Sequence, residues 1–157
     1  MELKFTVHTK IQKPVAEVFD GVYNPSKLSQ YFTTGGASGP LDEGTTAYWS
    51  FADFPGPAAP VRVKQVTPNR LIAFEWGGEN DMPLCRVEVK FEPLGENETL
   101  VSITESGWPE TPKGLHDSRA ERCAHLRSRP YRSSWSCSRS HTRSRGYCTS
   151  IPSPLSC

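Results

Sequence analysis

Alternation of apolar and polar residues with a period of two is the feature that most constrains what this chain can fold into. In the first such run the apolar positions are Leu3, Phe5, Val7 and Ile11. Successive side chains of a β-strand point to opposite faces, so this pattern predicts a strand with one buried and one solvated face. Further strands are predicted over 46–51, 61–64, 72–76, 86–92 and 100–105. Turn residues separate them, and such a meander forms an antiparallel sheet.

Two stretches rich in Gly and Pro interrupt this alternation. The stretch "TTGGASGP", residues 33–40, lacks the Gly-Lys-Ser/Thr ending of a phosphate-binding loop and follows no predicted strand. It is therefore interpreted as a flexible loop rather than a nucleotide site. The stretch "FADFPGPAAP", residues 51–60, predicts a turn. Shorter turns are predicted over 67–70, 77–83 and 93–98.

Between the first strand and the loop the apolar period becomes helical. Pro14 suits the first turn of a helix, where its missing N–H would have no partner anyway. The apolar stripe that follows, at i, i+3, i+4, i+7 and i+8, consists of Val15, Val18, Phe19, Val22 and Tyr23. Asn24 as a cap and Pro25 at the first position predict a second short helix. That helix is expected to carry Leu28, Tyr31 and Phe32.

Four stretches together resemble a known family. They are "KPVAEVFDGVYNPSKLSQYF", "LDEGTTAYWSF", "PNRLIAFEW" and "FEPLGENETLVSITESGW". Over residues 1–115 the chain resembles the bacterial activator-of-heat-shock-protein-90-ATPase-like proteins of the START-related, birch-pollen-allergen-like SRPBCC superfamily. The resemblance implies an α+β helix-grip fold, in which a curved antiparallel sheet of about six strands wraps around a long C-terminal helix. It also implies that Thr111 caps that helix, with Pro112 in its first turn.

The function implied by this resemblance is binding rather than catalysis. We expect a cytoplasmic, non-enzymatic protein of the stress response that binds a small apolar ligand, or a chaperone or other protein partner, without a cofactor or metal. The cavity between helix and sheet is expected to be lined by Tyr31, Phe32, Trp49, Phe51, Phe74, Trp76, Val87, Val89, Phe91 and Trp108. The alternative is a cyclase- or hydrolase-like enzyme in the same cavity. A polar cavity residue with a perturbed pKa would favour the enzyme, and a pocket lined by carbon alone would favour the binding protein.

The residues alone reveal no catalytic set. His8 belongs to the polar face of the first strand, and Cys85 has no basic partner nearby in sequence, so we expect a solvated imidazole and a buried inert thiol. Glu75 stands between Phe74 and Trp76 and should point the opposite way, toward solvent. Neither a signal peptide nor an apolar run of about 18 residues indicates export or a membrane span.

The C-terminal part departs from the family in composition. Residues 1–117 contain 10 Lys and Arg against 16 Asp and Glu, whereas residues 118–157 contain 8 Arg against a single Glu. Three interpretations remain open. A basic tail could bind RNA, although nucleic acid is the less favoured partner. A metal could be held, although no Cys-x2–4-Cys spacing occurs; the candidate ligands are Cys123, His125, Cys137, His141 and Cys148.

The third and favoured interpretation is a shifted reading frame. Serine codons of the type TCN, read two bases later, become NTC and encode Phe, Leu, Ile or Val. By this arithmetic residues 133–138 decode as an unbroken apolar run, in keeping with the family's missing helix. We therefore divide the chain into an incomplete helix-grip domain, 1–115, and a mostly disordered tail, 116–157, whose frame shifts between about Leu115 and Arg132. Without the long helix the aromatic cavity should be partly bare and the fold marginal.

Overall fold

The computed structural model describes residues 2–78 and 83–116, which contain seven strands, two helices and a helical turn over 112–116. In chain order the elements are β1 (Glu2–Ile11), α1 (Val15–Tyr23), α2 (Pro25–Leu28), β2 (Gly36–Ala37), β3 (Thr46–Phe51), β4 (Phe54–Thr67), β5 (Leu71–Trp76), β6 (Cys85–Gly95) and β7 (Glu98–Pro109). The strands form one antiparallel sheet in the order β1-β7-β6-β5-β4-β3-β2. The predicted α+β class, with an antiparallel sheet and two short N-terminal helices, is confirmed.

The sheet has seven strands rather than about six because part of the predicted loop 33–40 is a strand. Gly36 pairs with Ser50 and Ala37 with Trp49, which makes β2 the edge strand beside β3. Just before it, the amide of Gly35 donates to the carbonyl of Ser50 at 2.9 Å. A Cβ at Gly35 would lie 2.8 Å from the Ser50 carbonyl carbon, so this approach of two backbones requires glycine.

The turn predicted over 51–60 is shorter than expected, because only residues 52 and 53 form a turn and β4 begins at Phe54. The pairing pattern explains how its prolines are tolerated. Strand β5 reaches β4 only as far as Val61, which pairs with Trp76, whereas the earlier residues of β4 pair with β3. Pro60 therefore pairs with Tyr48 of β3 but with no residue of β5. Its missing N–H is tolerated because no second strand needs a hydrogen bond from it. The turn predicted over 93–98 is also shorter, since β6 continues to Gly95.

The helices follow the predicted stripe with shifted ends. Val18 and Phe19 are buried, and the other stripe residues pack against the core. Pro14 is the residue before α1 rather than part of its first turn. The Asn24 cap is confirmed, since its Oδ1 accepts a hydrogen bond from the amide of Ser26 at 3.0 Å.

The second helix is shorter than predicted and does not carry Tyr31 and Phe32. It ends at Leu28, and both residues lie in the turns that follow it. The amides of Tyr31 and Phe32 both donate to the carbonyl of Leu28, at 3.3 and 2.9 Å. Because successive amides share one carbonyl instead of advancing along the chain, the helical ladder stops there.

The chain leaves the sheet as the sequence predicts. Thr111 Oγ1 accepts from the amide of Gly114 at 3.0 Å, and the Thr111 carbonyl accepts from the amide of Leu115 at 2.8 Å. Thr111 is therefore a helix cap, with Pro112 in the first turn. Within residues 2–78 and 83–116 there is no long C-terminal helix. The Cys and His candidates for a metal and the decoded run 133–138 lie outside the described residues.

Among the described residues, no helix is long and apolar enough to cross a membrane.

Candidate functional site

One face of the sheet, here called the inner face, carries the core. Directly opposed residues of neighbouring strands point to the same side. Phe74 of β5 pairs with Val87 of β6, Val87 pairs with Glu105 of β7, and Glu105 pairs with Phe5 of β1. Helix α1 packs on the same face, where the ring of Phe19 lies edge-on to that of Phe91 with centroids 5.3 Å apart. The inner face is thus a continuous surface across the strands.

The structure brings all ten predicted cavity residues into one hydrophobic cluster on this face. Seven of them are buried, namely Trp49, Phe74, Trp76, Val87, Val89, Phe91 and Trp108. The other three, Tyr31, Phe32 and Phe51, are half-buried and pack against the buried set. Partial exposure was expected for Trp49, Phe51, Phe74, Trp76, Val87, Val89 and Phe91. This expectation is wrong for the six of them that are buried, and Phe51 is half-buried.

Mutual packing of the aromatic rings accounts for part of that burial. Around Trp49, the ring of Phe32 lies at 5.5 Å and that of Phe74 at 5.2 Å, both edge-on. The ring of Phe51 lies edge-on to Phe32 at 5.6 Å. Edge-to-face pairs at these distances add to the burial energy of the rings themselves. The residues after α2 therefore cover this part of the sheet without a regular helix.

The two ends of the inner face differ in chemistry. The apolar end, next to α1, consists of Phe19, Ile72, Val89, Phe91 and Val101. The opposite end, called the indole end, consists of Trp49, Trp76, Glu105 and Trp108. The rings of Trp49 and Trp76 have centroids 6.5 Å apart. The indole end thus combines large apolar surfaces with three N–H groups and a carboxyl group.

Glu105 is the functional candidate that the sequence interpretation missed. Its side chain is fully buried, and its Oε1 accepts a hydrogen bond from Nε1 of Trp76 at 3.1 Å. The available signal was the alternation itself, because Glu105 is in the same phase as the apolar residues Val101 and Ile103 of the predicted strand 100–105. A carboxyl group at an inward position is uncommon, since burying it requires hydrogen-bond partners.

A β-bulge turns Trp108 onto the same face. Residues 105 and 108 would point to opposite sides of a regular strand, but the register with β1 shifts so that Lys4 pairs with Ser106 and Leu3 with Trp108. The extra residue is Gly107, whose φ is +102° and whose Cβ, if it had one, would lie 2.5 Å from the carbonyl oxygen of Leu84. Glycine at this position therefore lets the strand re-aim the indole.

Two of the three indole N–H groups have no acceptor among residues 2–78 and 83–116. Trp49 and Trp108 are only 3% and 2% exposed, and Nε1 of each has no hydrogen-bond partner in the part of the chain that the structure describes. Most buried polar groups are hydrogen-bonded. A buried donor without a partner costs about 1–3 kcal/mol. The indole end therefore contains hydrogen-bonding capacity that the described protein groups do not use.

Two tyrosines that pack against the core are already engaged in hydrogen bonds. Tyr31 donates its phenolic proton to the carbonyl of Gly21 at 2.9 Å, and burial raises the pKa of the phenol above its usual value. Tyr31 is therefore a neutral donor that is already engaged. Tyr23 donates to a carboxylate oxygen of Asp42, and this hydrogen bond is the main cause that raises the pKa of its phenol.

The residues expected outside the cavity lie where the pattern places them. Glu75 is on the outer face and forms an ion pair with Nζ of Lys64 at 2.9 Å. The exposed His8 has its Nδ1 2.8 Å from Oγ of Ser102. Cys85 is buried at the start of β6. These three predictions of placement are confirmed.

Comparison with known proteins gives a family match and several structural matches. The family model "Activator of Hsp90 ATPase homolog 1-like protein" matches residues 12–124. No curated protein matches this chain.

An HSP90 activator from Plasmodium falciparum is 20% identical with a TM-score of 0.61, and the match covers 77% of this chain and 84% of that one. The Aha1 dimer from Colwellia psychrerythraea is 19% identical with a TM-score of 0.64, covering 79% and 91%. DynU16, a protein of the dynemicin biosynthetic locus, is 23% identical with a TM-score of 0.66, covering 78% of this chain and 44% of its own. At these identities the structural likeness establishes the fold alone.

Proposed function

Because this chain belongs to the family of activator of Hsp90 ATPase homolog 1-like proteins, we propose that it binds a small apolar ligand on the inner face of its sheet. The observation that carries the proposal is the aromatic cluster around Trp49, with Phe32, Phe74 and Trp76 as its neighbours. Small-molecule sites consist mostly of apolar and aromatic side chains with a few polar groups among them. The ten predicted lining residues supply the former, and the indole end supplies the latter.

A protein partner is the second role that the family suggests. One structural relative is an HSP90 activator and another is an Aha1 dimer, so a chaperone of the Hsp90 class in the cytoplasm is the partner to test first. The groups on the outer face that are available for such contact include His8 and the Lys64–Glu75 ion pair. Ligand and chaperone would then use opposite faces of the sheet.

Catalysis is the competing function, and Glu105 is the residue that favours it. A buried carboxyl group beside an apolar surface can act as a general acid or base. However, the groups that accompany it at the indole end are indole N–H groups, which donate hydrogen bonds but exchange no proton with a substrate at neutral pH. Tyr31 stays protonated because burial raises its pKa. Tyr31 meets the criterion of a cavity residue with a perturbed pKa, which counts for the enzyme, but the raised pKa keeps its phenol neutral. Binding is therefore the function we propose, and acid–base chemistry at Glu105 is the alternative to test.

Equilibrium dialysis of fluorene, a rigid aromatic hydrocarbon, against the full chain tests the binding proposal. We expect saturable binding with one site per chain, weakened about three- to tenfold by Phe32→Leu, which removes the ring packed on Trp49. Tyr48→Phe is the matched control, since Tyr48 neighbours Trp49 in β3 but is 50% exposed. Absence of saturable binding to the folded chain would refute the proposal.

Glu105→Gln separates binding from catalysis. The amide keeps the size of the side chain and an oxygen for the Trp76 N–H, but it removes the titratable group. A binding protein should retain its affinity for fluorene within about threefold in this variant. Detection of an activity that Glu105→Gln abolishes, with binding preserved, would establish the enzyme instead.

We also propose that residues 116–157 are the product of a shifted reading frame. The reversal of charge and the gathering of four of the five cysteines in this part support the proposal. Sequencing the coding DNA from the Gly114 codon onward, in all three frames, is the test. A second frame that encodes a long apolar helix is the expected result. If no frame does so, the Arg- and Ser-rich tail is genuine, and RNA binding that weakens steeply with salt becomes the function to examine there.

A further inference from the structure

The indole end presents two buried donors that no described group satisfies. Nε1 of Trp49 and Nε1 of Trp108 belong to side chains that are 3% and 2% exposed. Between them, Trp76 donates to Glu105. Of these three indoles, only Trp76 has an acceptor for its N–H among the described groups. An unsatisfied buried donor calls for a partner such as water, an ion or a ligand.

The positions of these donors follow from the strand register. Trp76 of β5 pairs with Val61 of β4 on one side and with Cys85 of β6 on the other. Trp49 lies beyond β4, on β3, and Trp108 lies beyond β6, on β7. The unsatisfied donors therefore flank the satisfied one across the same end of the inner face. A ligand lying across the sheet at this end would meet apolar ring faces with a donor on either side.

We propose that the indole end binds a neutral, largely apolar molecule through a hydrogen-bond acceptor, of which a carbonyl oxygen is the simplest. The acceptor receives the N–H of Trp49 or Trp108, and the rest of the molecule lies on the aromatic cluster. This inference rests on the proposed function and names the class of ligand for the same site. An acceptor is required because an indole nitrogen only donates.

Neutrality follows from the charges available at this site. The buried polar and charged residues among those described are Thr33, Thr99 and Glu105. A buried anion needs a cationic partner or several donors to offset its lost hydration. No Lys or Arg is among the buried side chains of the described part, so none of these buried side chains offers a ligand carboxylate a cation. A ketone or ether oxygen satisfies the indole N–H without bringing a charge into the site.

Three ligands of one shape test this inference on the full chain. Fluorene has no acceptor, 9-fluorenone adds one carbonyl oxygen, and fluorene-9-carboxylate adds a charge. We expect 9-fluorenone to bind about three- to tenfold more tightly than fluorene, which is the effect of one added hydrogen bond. We expect fluorene-9-carboxylate to bind more weakly than 9-fluorenone.

The outcomes distinguish this inference from the proposed function. Equal affinities for fluorene and 9-fluorenone would overturn the acceptor while leaving an apolar binding face. Tighter binding of the carboxylate than of the ketone would overturn the neutral class. Failure of all three ligands to bind would overturn the binding function and the inference together.

The indole proton resonances identify the donor directly. In ¹H–¹⁵N spectra, 9-fluorenone should move the Hε1 signal of Trp49 or Trp108 downfield, whereas fluorene should not, and the signal of Trp76 should keep its bonded position. Replacing the tryptophan whose signal moves by Phe should abolish the preference for the ketone, and Tyr48→Phe should preserve it. Survival of the preference in both Trp49→Phe and Trp108→Phe would contradict the assignment. The shift of the Hε1 signal is measured on the unmodified chain and does not depend on the folding of a variant.

Discussion

The apolar end and the indole end of the inner face belong to one sheet, yet they differ in whether their buried side chains carry unsatisfied hydrogen-bond donors. At the apolar end, Phe91 packs against α1, with the ring of Phe19 edge-on to it at 5.3 Å, and Ile72 belongs to the same core cluster. At the indole end, Trp49 and Trp108 are equally buried but leave their N–H groups without a described acceptor.

This difference separates stability from recognition. Burial of an apolar side chain contributes about 1.5–3 kcal/mol without any directional requirement. A buried indole contributes its area but loses part of that contribution when its donor is unsatisfied. Replacing the indoles by Phe would relieve that loss, and their presence therefore supports the proposal that this end binds a ligand. The apolar end should therefore dominate folding, and the indole end should dominate ligand choice.

The largest predicted effect lies at the apolar end. Phe91→Ala removes a buried ring that contacts Phe19, and such truncations cost about 3–5 kcal/mol in the free energy of unfolding. Chemical denaturation followed by circular dichroism measures this cost. An effect below about 1 kcal/mol would show that α1 does not stabilise the sheet through this contact. Lys64→Ala, on the outer face, is the control and should cost less than about 1 kcal/mol.

A pair of matched substitutions measures the difference among the indoles. Trp76→Phe and Trp49→Phe delete the same atoms from buried indoles, but only the first removes a hydrogen bond, the one to Glu105. We expect Trp76→Phe to be more destabilising than Trp49→Phe by about 1–3 kcal/mol, because the buried carboxyl group loses this donor. Equal costs in denaturant unfolding would indicate that the two N–H groups are in equivalent environments.

A smaller effect depends on pH and concerns a buried donor that is satisfied. Burial raises the pKa of Tyr31 in the folded state, so the folded chain keeps this proton when the unfolded chain, with a tyrosine pKa of about 10, has lost it. The stability that depends on this proton is complete below about pH 10 and is lost as the pH rises further. Relative to Tyr31→Phe, the free energy of unfolding should fall by about 1.4 kcal/mol per pH unit above that point.

Denaturation midpoints of the two proteins at a series of pH values provide the comparison for Tyr31. The denaturation midpoints of Tyr48→Phe, which removes an exposed phenol, should change with pH in the same way as those of the wild-type chain. Parallel curves for the wild-type chain and Tyr31→Phe between pH 9 and 11 would contradict the burial of this hydroxyl.

Much of the fold was predictable because the alternation of apolar and polar residues along a strand indicates which side chains are buried. The inward residues of β5 and β6, such as Phe74 and Val87, are buried as their phase requires. The strand around Pro57 and Pro60 was not predictable in this way, because proline is a turn residue unless its strand lacks a second neighbour, and neighbours are a property of the whole sheet. Strand β2 was missed because it has only two residues, which is too short for an alternation of apolar and polar residues to be recognised.

The site was only half predictable. The aromatic lining follows from resemblance and phase, and its ten residues share one cluster. Glu105 was reachable from the phase of β7, but a carboxyl group in an apolar series is usually assigned to solvent. The hydrogen bond from the Trp76 N–H to Glu105 joins residues of two strands that are 29 positions apart in sequence, and no local pattern reveals such a contact. The unsatisfied donors of Trp49 and Trp108 are visible only when all their neighbours are known.

The measurement that tests the central difference most directly is the ¹H–¹⁵N spectrum of the indole groups in the unliganded full chain, recorded over a range of temperatures. A hydrogen-bonded Hε1 lies downfield and shifts little with temperature. We predict this behaviour for Trp76, and upfield, temperature-sensitive signals for Trp49 and Trp108. The same position and temperature dependence for the signals of Trp49, Trp76 and Trp108 would contradict the account, because the indole end would then have no unsatisfied donor available to a ligand.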